Sequence, residues 1–173
     1  MKTCRNSFTL IELLVVMAVI AMLSAITLGA AGAIQNKAAR SRAAAEIAAM
    51  STALESYKTD NGIYPGIAGM ASVSSVTPTA YTPSSTILFQ GLSATTNWNA
   101  KPAGPVYMTF KKNQLNSTMS CYVQDPFGYA YGYCTNAADK GMNAGFYDLW
   151  STAGKTTGGA ANTNVWVNNW SSN

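Results

Sequence analysis

One acidic side chain stands at the start of a long apolar segment, where a carboxylate is costly. Glu12 is the only charged residue between Arg5 and Lys37, and the 24 residues that follow it, 13–36, carry no charge. A carboxylate beside the hydrocarbon of a bilayer costs about 3 kcal/mol, so an acid kept at such a position is by default a functional residue. Glu12 is therefore the first candidate for a functional role.

The rest of the chain offers little that could perform catalysis. It has no histidine, which removes the commonest general base and the commonest metal ligand. The sequence also shows no nucleophile–base pair, no phosphate-binding glycine loop and no cluster of metal ligands. We therefore expect neither an enzyme nor a cofactor. The net charge of +4 is too small to imply a nucleic-acid partner by itself, and none is expected.

Two of the three cysteines could form a disulfide. Cys4 lies in the basic N-terminal segment, which leaves Cys121 and Cys134 as an even pair. In an oxidising compartment a bridge between them would close a loop of about 14 residues and contribute about 3 kcal/mol. The alternative is two half-buried thiols in neighbouring strands. A simple strand register places the two cysteines diagonally, so a bridge would need a bulge or twist.

The apolar segment 13–36 must be the element that positions Glu12. A membrane-spanning helix needs about 20 apolar residues, so the segment is long enough. One interpretation is a secretory signal cleaved after Ala33, because residues 31–33 read small-x-small. A second is a plain, uncleaved anchor. The first is disfavoured because the apolar run is longer than a signal core and begins with a charge, and the second leaves the order Phe-Thr-Leu-Ile-Glu unexplained.

A third interpretation comes from resemblance. The run from Ser7 to Val16, preceded by Lys2 and Arg5, resembles the class III signal of type IV pilins and type II secretion pseudopilins. The resemblance implies that a prepilin peptidase cuts between Ser7 and Phe8 on the cytoplasmic side and methylates the new amine. Glu12 then becomes the fifth residue of the mature chain. The chain departs from the family at Ser7, where the family usually has glycine.

This cut would give Glu12 a partner of opposite charge. The new amine of Phe8 lies one helical turn from Glu12, so amine and carboxylate can neutralise each other. Between chains, a buried carboxylate that pairs with the neighbouring subunit's amine would set the axial register of packed helices. The alternative is that Glu12 reaches the headgroups near its helix end. The surrounding motif favours the assembly role.

The helix is predicted to continue beyond the apolar segment. Apolar side chains recur there at helical spacing, and a helix from Phe8 to Tyr57 is about 75 Å long, of which about 30 Å fits in a membrane. The members of this stripe are Ala39, Ala43, Ile47, Met50, Leu54 and Tyr57, with Lys37, Arg40, Glu46, Glu55 and Lys58 off it. The predicted segments are a cleaved leader (1–7), a transmembrane and assembly helix (8–36), an amphipathic half-helix (37–60), a variable connection (61–105) and a sheet head (106–173).

The head begins where the helix is predicted to stop. Asn61-Gly62 supplies positive-φ positions and Pro65 forbids further helix. Residues 66–105 are interpreted as a long surface connection with one short helix near the apolar island 87–92. Short strand-like runs follow, and the turn signal 125–128 joins the second and third as a hairpin. These runs are 106–110, 121–124, 129–134, 146–151 and 165–167.

The helix exit and the head also resemble the major pseudopilins of type II secretion. The string from Asp125 to Gly128, the aromatics after it and the run Tyr147–Ser151 carry this resemblance. It implies an α+β, pilin-like fold, in which a long N-terminal helical spine packs on a small antiparallel β-sheet head. Alternation of the aromatics favours a face packed on the helix over a surface for stacking nucleic-acid bases. These aromatics are Tyr129, Tyr131, Tyr133, Tyr147 and Trp150.

The resemblance also bears on calcium. Members of the secretion branch bind calcium in the loop after the Asp-Leu-Trp-Ser region, through acidic side chains and backbone carbonyls. In this chain the region carries Ser151, Lys155, Asn162 and Asn164, with Lys155 where an acid is expected. A calcium site needs several oxygens and compensating negative charge, so bound calcium is not expected. The hypothesis is that the Lys155 ammonium cross-links the loop carbonyls instead.

The predicted function is therefore a structural filament subunit. The resemblance implies a single-pass inner-membrane protein with a cytoplasmic N-terminus and a periplasmic head, which is then assembled. Its partners would be further copies, other pilins or pseudopilins, prepilin peptidase, the inner-membrane assembly platform and the lipid bilayer. Two alternatives stay open: a soluble secreted protein that starts at Ile34, and a minor pilin for DNA uptake or adhesion. In the second, Lys101, Lys111 and Lys112 would contact phosphates.

Overall fold

The computed structural model describes residues 9–66, 78–116, 121–135, 142–143, 146–157 and 163–171, with the backbone alone at 26–31 and 78–79. The chain divides into two compact units, Met1–Ala38 and Ala39–Asn173. The described elements are helices α1 (Leu10–Asn61) and α2 (Thr82–Ser93), 3₁₀ helices Pro78–Tyr81 and Lys112–Gln114, and strands β1 (Gly132–Cys134), β2 (Asp148–Ser151) and β3 (Val167–Asn168).

Helix α1 ends where the sequence predicts. The amide of Gly62 donates to the carbonyl of Lys58 at 2.7 Å, and Gly62 has φ of +77°. A residue at this position closes the helix in the left-handed conformation, which only glycine adopts without strain. Pro65 then excludes any continuation.

The apolar stripe of the second half of α1 forms one side of the core of unit Ala39–Asn173. Its central members are buried, whereas Ala39 and Tyr57 at its ends are partly buried. The side chains that pack against the stripe come from α2 and from the sheet. Both contacts bury apolar surface of the stripe away from water. The fully or nearly fully buried stripe residues are Ala43, Ile47, Met50 and Leu54.

The three strands form one antiparallel sheet in the order β1-β2-β3. Gly132 pairs with Trp150 across β1 and β2, and Trp150 pairs with Asn168 across β2 and β3. One face carries Tyr131, Tyr133 and Leu149 into the core that α1 completes. This arrangement confirms the predicted α+β fold, in which a long N-terminal helix packs with a small antiparallel sheet. The other face carries a second core with Trp150 and Trp166, whose rings stack at 6.1 Å.

The predicted turn at 125–128 is also present. The amide of Gly128 donates to the carbonyl of Asp125 at 3.0 Å, and the amide of Asp125 donates to the carbonyl of Tyr129 at 2.7 Å. Gly128 has φ of +89°, which accounts for the glycine. Before this turn the predicted strand 121–124 makes only isolated bridges, from Val123 to Leu115 and from Gln124 to Ala130.

Two predictions about the connection and the first strand are wrong. Residues 106–110 form no strand, because the amides of Tyr107 and Met108 both donate to the carbonyl of Leu92, at 2.9 and 3.0 Å. That carbonyl is near the end of α2, where carbonyls lack partners within the helix. The predicted short helix is present as α2, but it is not a surface element, since Leu88 and Leu92 are fully buried.

Gly132 is required by the close approach of an indole ring. A Cβ at this position would lie 1.9 Å from Cε2 of Trp150, whose side chain is fully buried. We expect Gly132→Ala to lower the free energy of unfolding by about 1–3 kcal/mol, because the ring has no space to move. Urea unfolding of the detergent-solubilised chain measures this. Gly104→Ala is the matched control, since its Cβ meets nothing within 4 Å; equal losses for both variants would contradict the expectation.

Candidate functional site

The first described residues place Glu12 in a capping box at the start of α1. Thr9 precedes the helix, and both its backbone amide and its hydroxyl donate to Oε2 of Glu12, at 3.2 and 3.0 Å. In return the amide of Glu12 donates to the hydroxyl oxygen of Thr9 at 3.3 Å. This reciprocal pairing satisfies two amides that a helix start leaves without partners.

The capping box gives Glu12 a structural role that the interpretations from sequence left out. The signal was present, because Thr9 and Glu12 have the Thr-x-x-Glu spacing just before an apolar run. A carboxylate in the first helical turn also interacts favourably with the positive end of the helix dipole. Both hydrogen bonds from Thr9 use Oε2, so Oε1 of the exposed carboxylate can still accept from an amine outside the chain.

Both predicted processing residues, Ser7 and Phe8, lie outside the described residues. No helix in the part of the chain that the structure describes is long and apolar enough to cross a membrane.

The N-terminal unit presents apolar side chains to its surroundings. Along α1 the large apolar residues from Leu10 to Leu23 are all at least half accessible in the single chain. A surface of this kind marks a site of contact with a membrane or with other proteins. The most exposed are Leu10, Ile11, Leu14, Met17 and Met22.

A buried carboxylate joins the second half of α1 to the head. Glu46 is only 9% exposed, and its Oε2 accepts from the hydroxyl of Tyr131 at 2.7 Å. Its Oε1 accepts from Nε2 of Gln114 at 3.1 Å and from Nε of Arg42 at 3.2 Å. Burial and the adjacent Glu46 carboxylate raise the pKa of Tyr131 well above its usual range. The phenol therefore stays protonated and remains a donor.

The sequence did not reveal this network. Glu46 lies off the apolar stripe in the sequence, and its burial was not predicted. Its partners are 68 and 85 positions away along the chain, and only the fold brings them together. The network joins α1 to the segments of Gln114 and Tyr131, which lead into the sheet. It is a polar contact within an otherwise apolar interface.

Asp125 is a second buried carboxylate of the head. Its Oδ2 accepts from the hydroxyl of Ser151 at 2.5 Å, and its Oδ1 accepts from the amides of Phe127 and Tyr129, at 3.0 and 2.8 Å. Burial raises the pKa of Asp125 above its ordinary value of 3.8, although these hydrogen bonds lower it, and the charge of Glu46 raises it further.

This pKa shift predicts a pH dependence of stability. A folded-state pKa above the unfolded one gives a stabilising contribution below about pH 4 that is lost as pH rises through the folded value. Each unit of the shift corresponds to about 1.4 kcal/mol. We therefore expect wild type to become less stable relative to Asp125→Asn as pH rises from about 4 to 7, measured by urea unfolding in detergent. The difference between the two chains cancels the other carboxylates, and parallel pH profiles would disprove the assignment.

The described residues of the predicted calcium region differ in their burial. Ser151 is buried and donates to Asp125, so its hydroxyl is engaged within the head. Lys155 and Asn164 are exposed, and Asn162 lies outside the described residues. Among the described residues, no three acidic, histidine or cysteine side chains lie close enough together to hold a metal ion. The predicted lack of calcium and the Lys155 cross-link stay predictions.

The predicted disulfide is not formed. Neither Cys121 nor Cys134 is part of a disulfide, and both side chains are buried. Cys121 packs in the core that contains Val123 and Tyr131, whereas Cys134 packs in the second core with Trp150. Successive side chains of extended backbone point to opposite faces, and this parity places the two thiols on opposite sides of the sheet. The sequence predicts a diagonal placement of the two cysteines in neighbouring strands, whereas in the structure their side chains lie on opposite faces of the sheet.

Residues 2–28 match the family model described as the prokaryotic N-terminal methylation motif. No curated protein matches the chain. The match covers only the N-terminal segment, and this motif indicates a type IV pilin-like substrate of prepilin peptidase. It also points to a precursor anchored in a membrane. The matched range contains Ser7, Phe8 and Glu12, together with the exposed apolar residues of α1 from Leu10 to Leu23.

Proposed function

We propose that the chain is a structural subunit of a type IV pilus-like or type II secretion pseudopilus filament, most similar to a major pseudopilin. Prepilin peptidase cuts between Ser7 and Phe8 and methylates the Phe8 amine. The mature chain waits in the inner membrane with its head in the periplasm. The assembly platform then moves it into a filament built from many copies, together with other pilins or pseudopilins.

The methylation motif at residues 2–28 carries this proposal. The geometry just after the proposed cut supports it, because Thr9 caps α1 and the helix begins at Leu10. A cut before Phe8 therefore leaves the new amine one residue ahead of the cap. The exposed apolar side chains that follow would be covered by the bilayer before assembly and by neighbouring helices afterwards.

Glu12 acts in this proposal as the residue that sets the register. Within its own chain the carboxylate closes the capping box through Oε2. On addition to a filament, Oε1 accepts from the Phe8 amine of a neighbouring subunit. A charge pair of this kind is strong only where water is excluded, which is the environment among packed apolar helices. Head-to-tail contacts with a non-closing rotation then produce an open filament.

Processing gives the first test of the proposal. The full-length chain is expressed with and without a prepilin peptidase, extracted from the membrane fraction and measured by intact mass and N-terminal sequencing. We expect loss of residues 1–7 and one added methyl group, with Phe8 at the N-terminus. A mature chain that begins at Phe8 but lacks the methyl group would indicate that the peptidase cleaved the chain without methylating it. The proposed cleavage site would then still hold.

The same measurement separates the alternatives. A mature start at Ile34 in the soluble fraction would replace the proposal with a secreted soluble protein. An intact Met1 in the presence of an active peptidase, with a known prepilin processed in parallel, would contradict it. Ser7→Gly restores the residue that the family usually has, and we expect it to be cut at least as fast as wild type.

A further inference from the structure

A pocket of about 220 Å³ opens on the head beside α2. Its floor is formed by buried or half-buried side chains, and Trp98 and Val106 in its wall are 46% and 45% exposed. Large apolar side chains left in water cost free energy in proportion to their exposed area. The large apolar residues of its lining are Phe89, Trp98, Val106, Met108, Phe110 and Leu115.

Three lysines are chain neighbours of the residues that line this pocket. Lys101 lies in the chain between two lining residues, and Lys111 and Lys112 lie between the lining residues Phe110 and Leu115. All three lysines are exposed, and Nζ of Lys112 lies 4.7 Å from the ring centroid of Trp98. Among the described residues that line the pocket, none is acidic. An apolar pocket with three lysines nearby and no acidic residue in its lining favours a ligand in which an apolar group lies next to negatively charged groups.

The volume of the pocket limits the size of the group that can bind in it. Pockets for drug-sized molecules are commonly about 300–1,000 Å³, so this one is smaller and suits a single bulky side chain. In many protein–protein interfaces one large side chain enters a pocket of this kind and is surrounded by polar contacts. The chemistry therefore fits a peptide better than a metabolite.

We propose that this pocket binds one aromatic or long aliphatic side chain on an acidic peptide segment of another protein. The apolar side chain enters the hole against Trp98 and Phe110. Carboxylates on either side of it in the peptide pair with Lys101, Lys111 and Lys112. Neither processing nor filament assembly enters this proposal, so its success or failure is independent of the proposed function.

Two other occupants fit less well. Single-stranded nucleic acid binds through a row of exposed aromatic rings on which successive bases stack, whereas Phe89 lies in the floor with only 2% of its surface exposed. A second copy of the chain would have to supply acids. The exposed acids of the described head, Glu55 and Asp60, stand singly and five positions apart, so they do not lie on both sides of one exposed apolar side chain.

The test uses the full-length chain in detergent micelles and a fluorescein-labelled peptide, Glu-Glu-Phe-Glu-Glu. Fluorescence anisotropy gives the Kd. We expect affinity to fall at least about tenfold when glycine replaces the phenylalanine or lysines replace the glutamates. Binding should also weaken as salt is raised, because the lysines are exposed and screened.

Variants of the protein complete the test. Trp98→Ala and Lys112→Glu should each weaken the peptide by at least about tenfold, while Lys155→Glu, an exposed lysine outside the pocket, should not change its Kd. Circular dichroism and urea midpoints verify that each variant is folded. Three results would overturn the proposal: equal binding of the lysine peptide, tighter binding of oligothymidine with the same dependence on Trp98, or Trp98-dependent self-association that the peptide does not displace.

Discussion

Glu12→Gln is expected to abolish filament assembly, whereas Thr9→Ala leaves most of it intact. Both variants affect the same small structure at the start of α1, but they remove different parts of it. Glutamine at the third helical position can still complete a capping box with Thr9, so Glu12→Gln removes the charge and keeps the helix start. Thr9→Ala removes the cap and keeps the charge.

The expected magnitudes of the two changes differ widely. Loss of an N-cap costs about 1 kcal/mol, a local effect at one end of a helix of 52 residues. Removal of one partner from a buried, paired charge costs about 3–5 kcal/mol, because the Phe8 amine is left unpaired away from water. At 1.4 kcal/mol for each factor of ten, the equilibrium for adding a subunit falls by at least about a hundredfold in Glu12→Gln.

The measurement needs a host whose assembly platform builds filaments from the wild-type chain. Sheared filaments are quantified by immunoblot and counted by electron microscopy, with the membrane fraction and the processed mass as internal controls. Both variants should insert and be processed like wild type. Normal filaments from Glu12→Gln would leave Glu12 as a capping residue only, and equal loss in Thr9→Ala would assign the assembly defect to the helix start.

Local signals in the sequence predicted the elements well. The stop at Asn61-Gly62 and the turn at 125–128 rest on glycine and proline chemistry that operates within a few residues. The stripe through Ile47 and Leu54 predicted the buried face of α1 for the same reason, because helical periodicity is a local property. The N-cap is equally local, since Thr9 and Glu12 are three residues apart, but it was not among the predictions.

The errors came from contacts between distant parts of the chain. Residues 106–110 have the composition of a strand, yet the end of α2 takes up two of their amides. Cys121 and Cys134 seemed close along a hairpin, but the face on which each side chain lies depends on a register fixed only by the folded sheet. The burial of Glu46 was not predicted, because its partners, Gln114 and Tyr131, lie far along the chain.

Glu46→Ala is expected to lower the free energy of unfolding by about 2–4 kcal/mol. The buried hydroxyl of Tyr131 loses its acceptor, and an unpaired buried donor costs about 1–3 kcal/mol. The methylene groups of Glu46 also leave a small cavity against the core. Arg42 contributes little to this sum, because its side chain is 51% exposed and water replaces its partner.

A second pair on the same helix provides the control. The hydroxyl of Tyr64 donates to Oε1 of Glu55 at 2.8 Å, close to the 2.7 Å between Tyr131 and Glu46. Both pairs join a glutamate of α1 to a tyrosine hydroxyl, but Glu55 is exposed. Glu55→Ala should therefore cost less than about 1 kcal/mol, since water can hydrogen-bond to the tyrosine that remains.

A double-mutant cycle isolates the interaction itself. Glu46→Ala, Tyr131→Phe and the double variant are unfolded in urea at pH 7 in detergent, followed by near-ultraviolet circular dichroism of the buried tryptophans. We expect a coupling energy of about 1.5–3 kcal/mol, the range for a hydrogen bond to a charged group. Equal losses in Glu46→Ala and Glu55→Ala would show that burial adds nothing to the bond. A coupling near zero would show instead that Glu46 stabilises the head through its packing, and the polar link between α1 and the sheet would then have no energetic role.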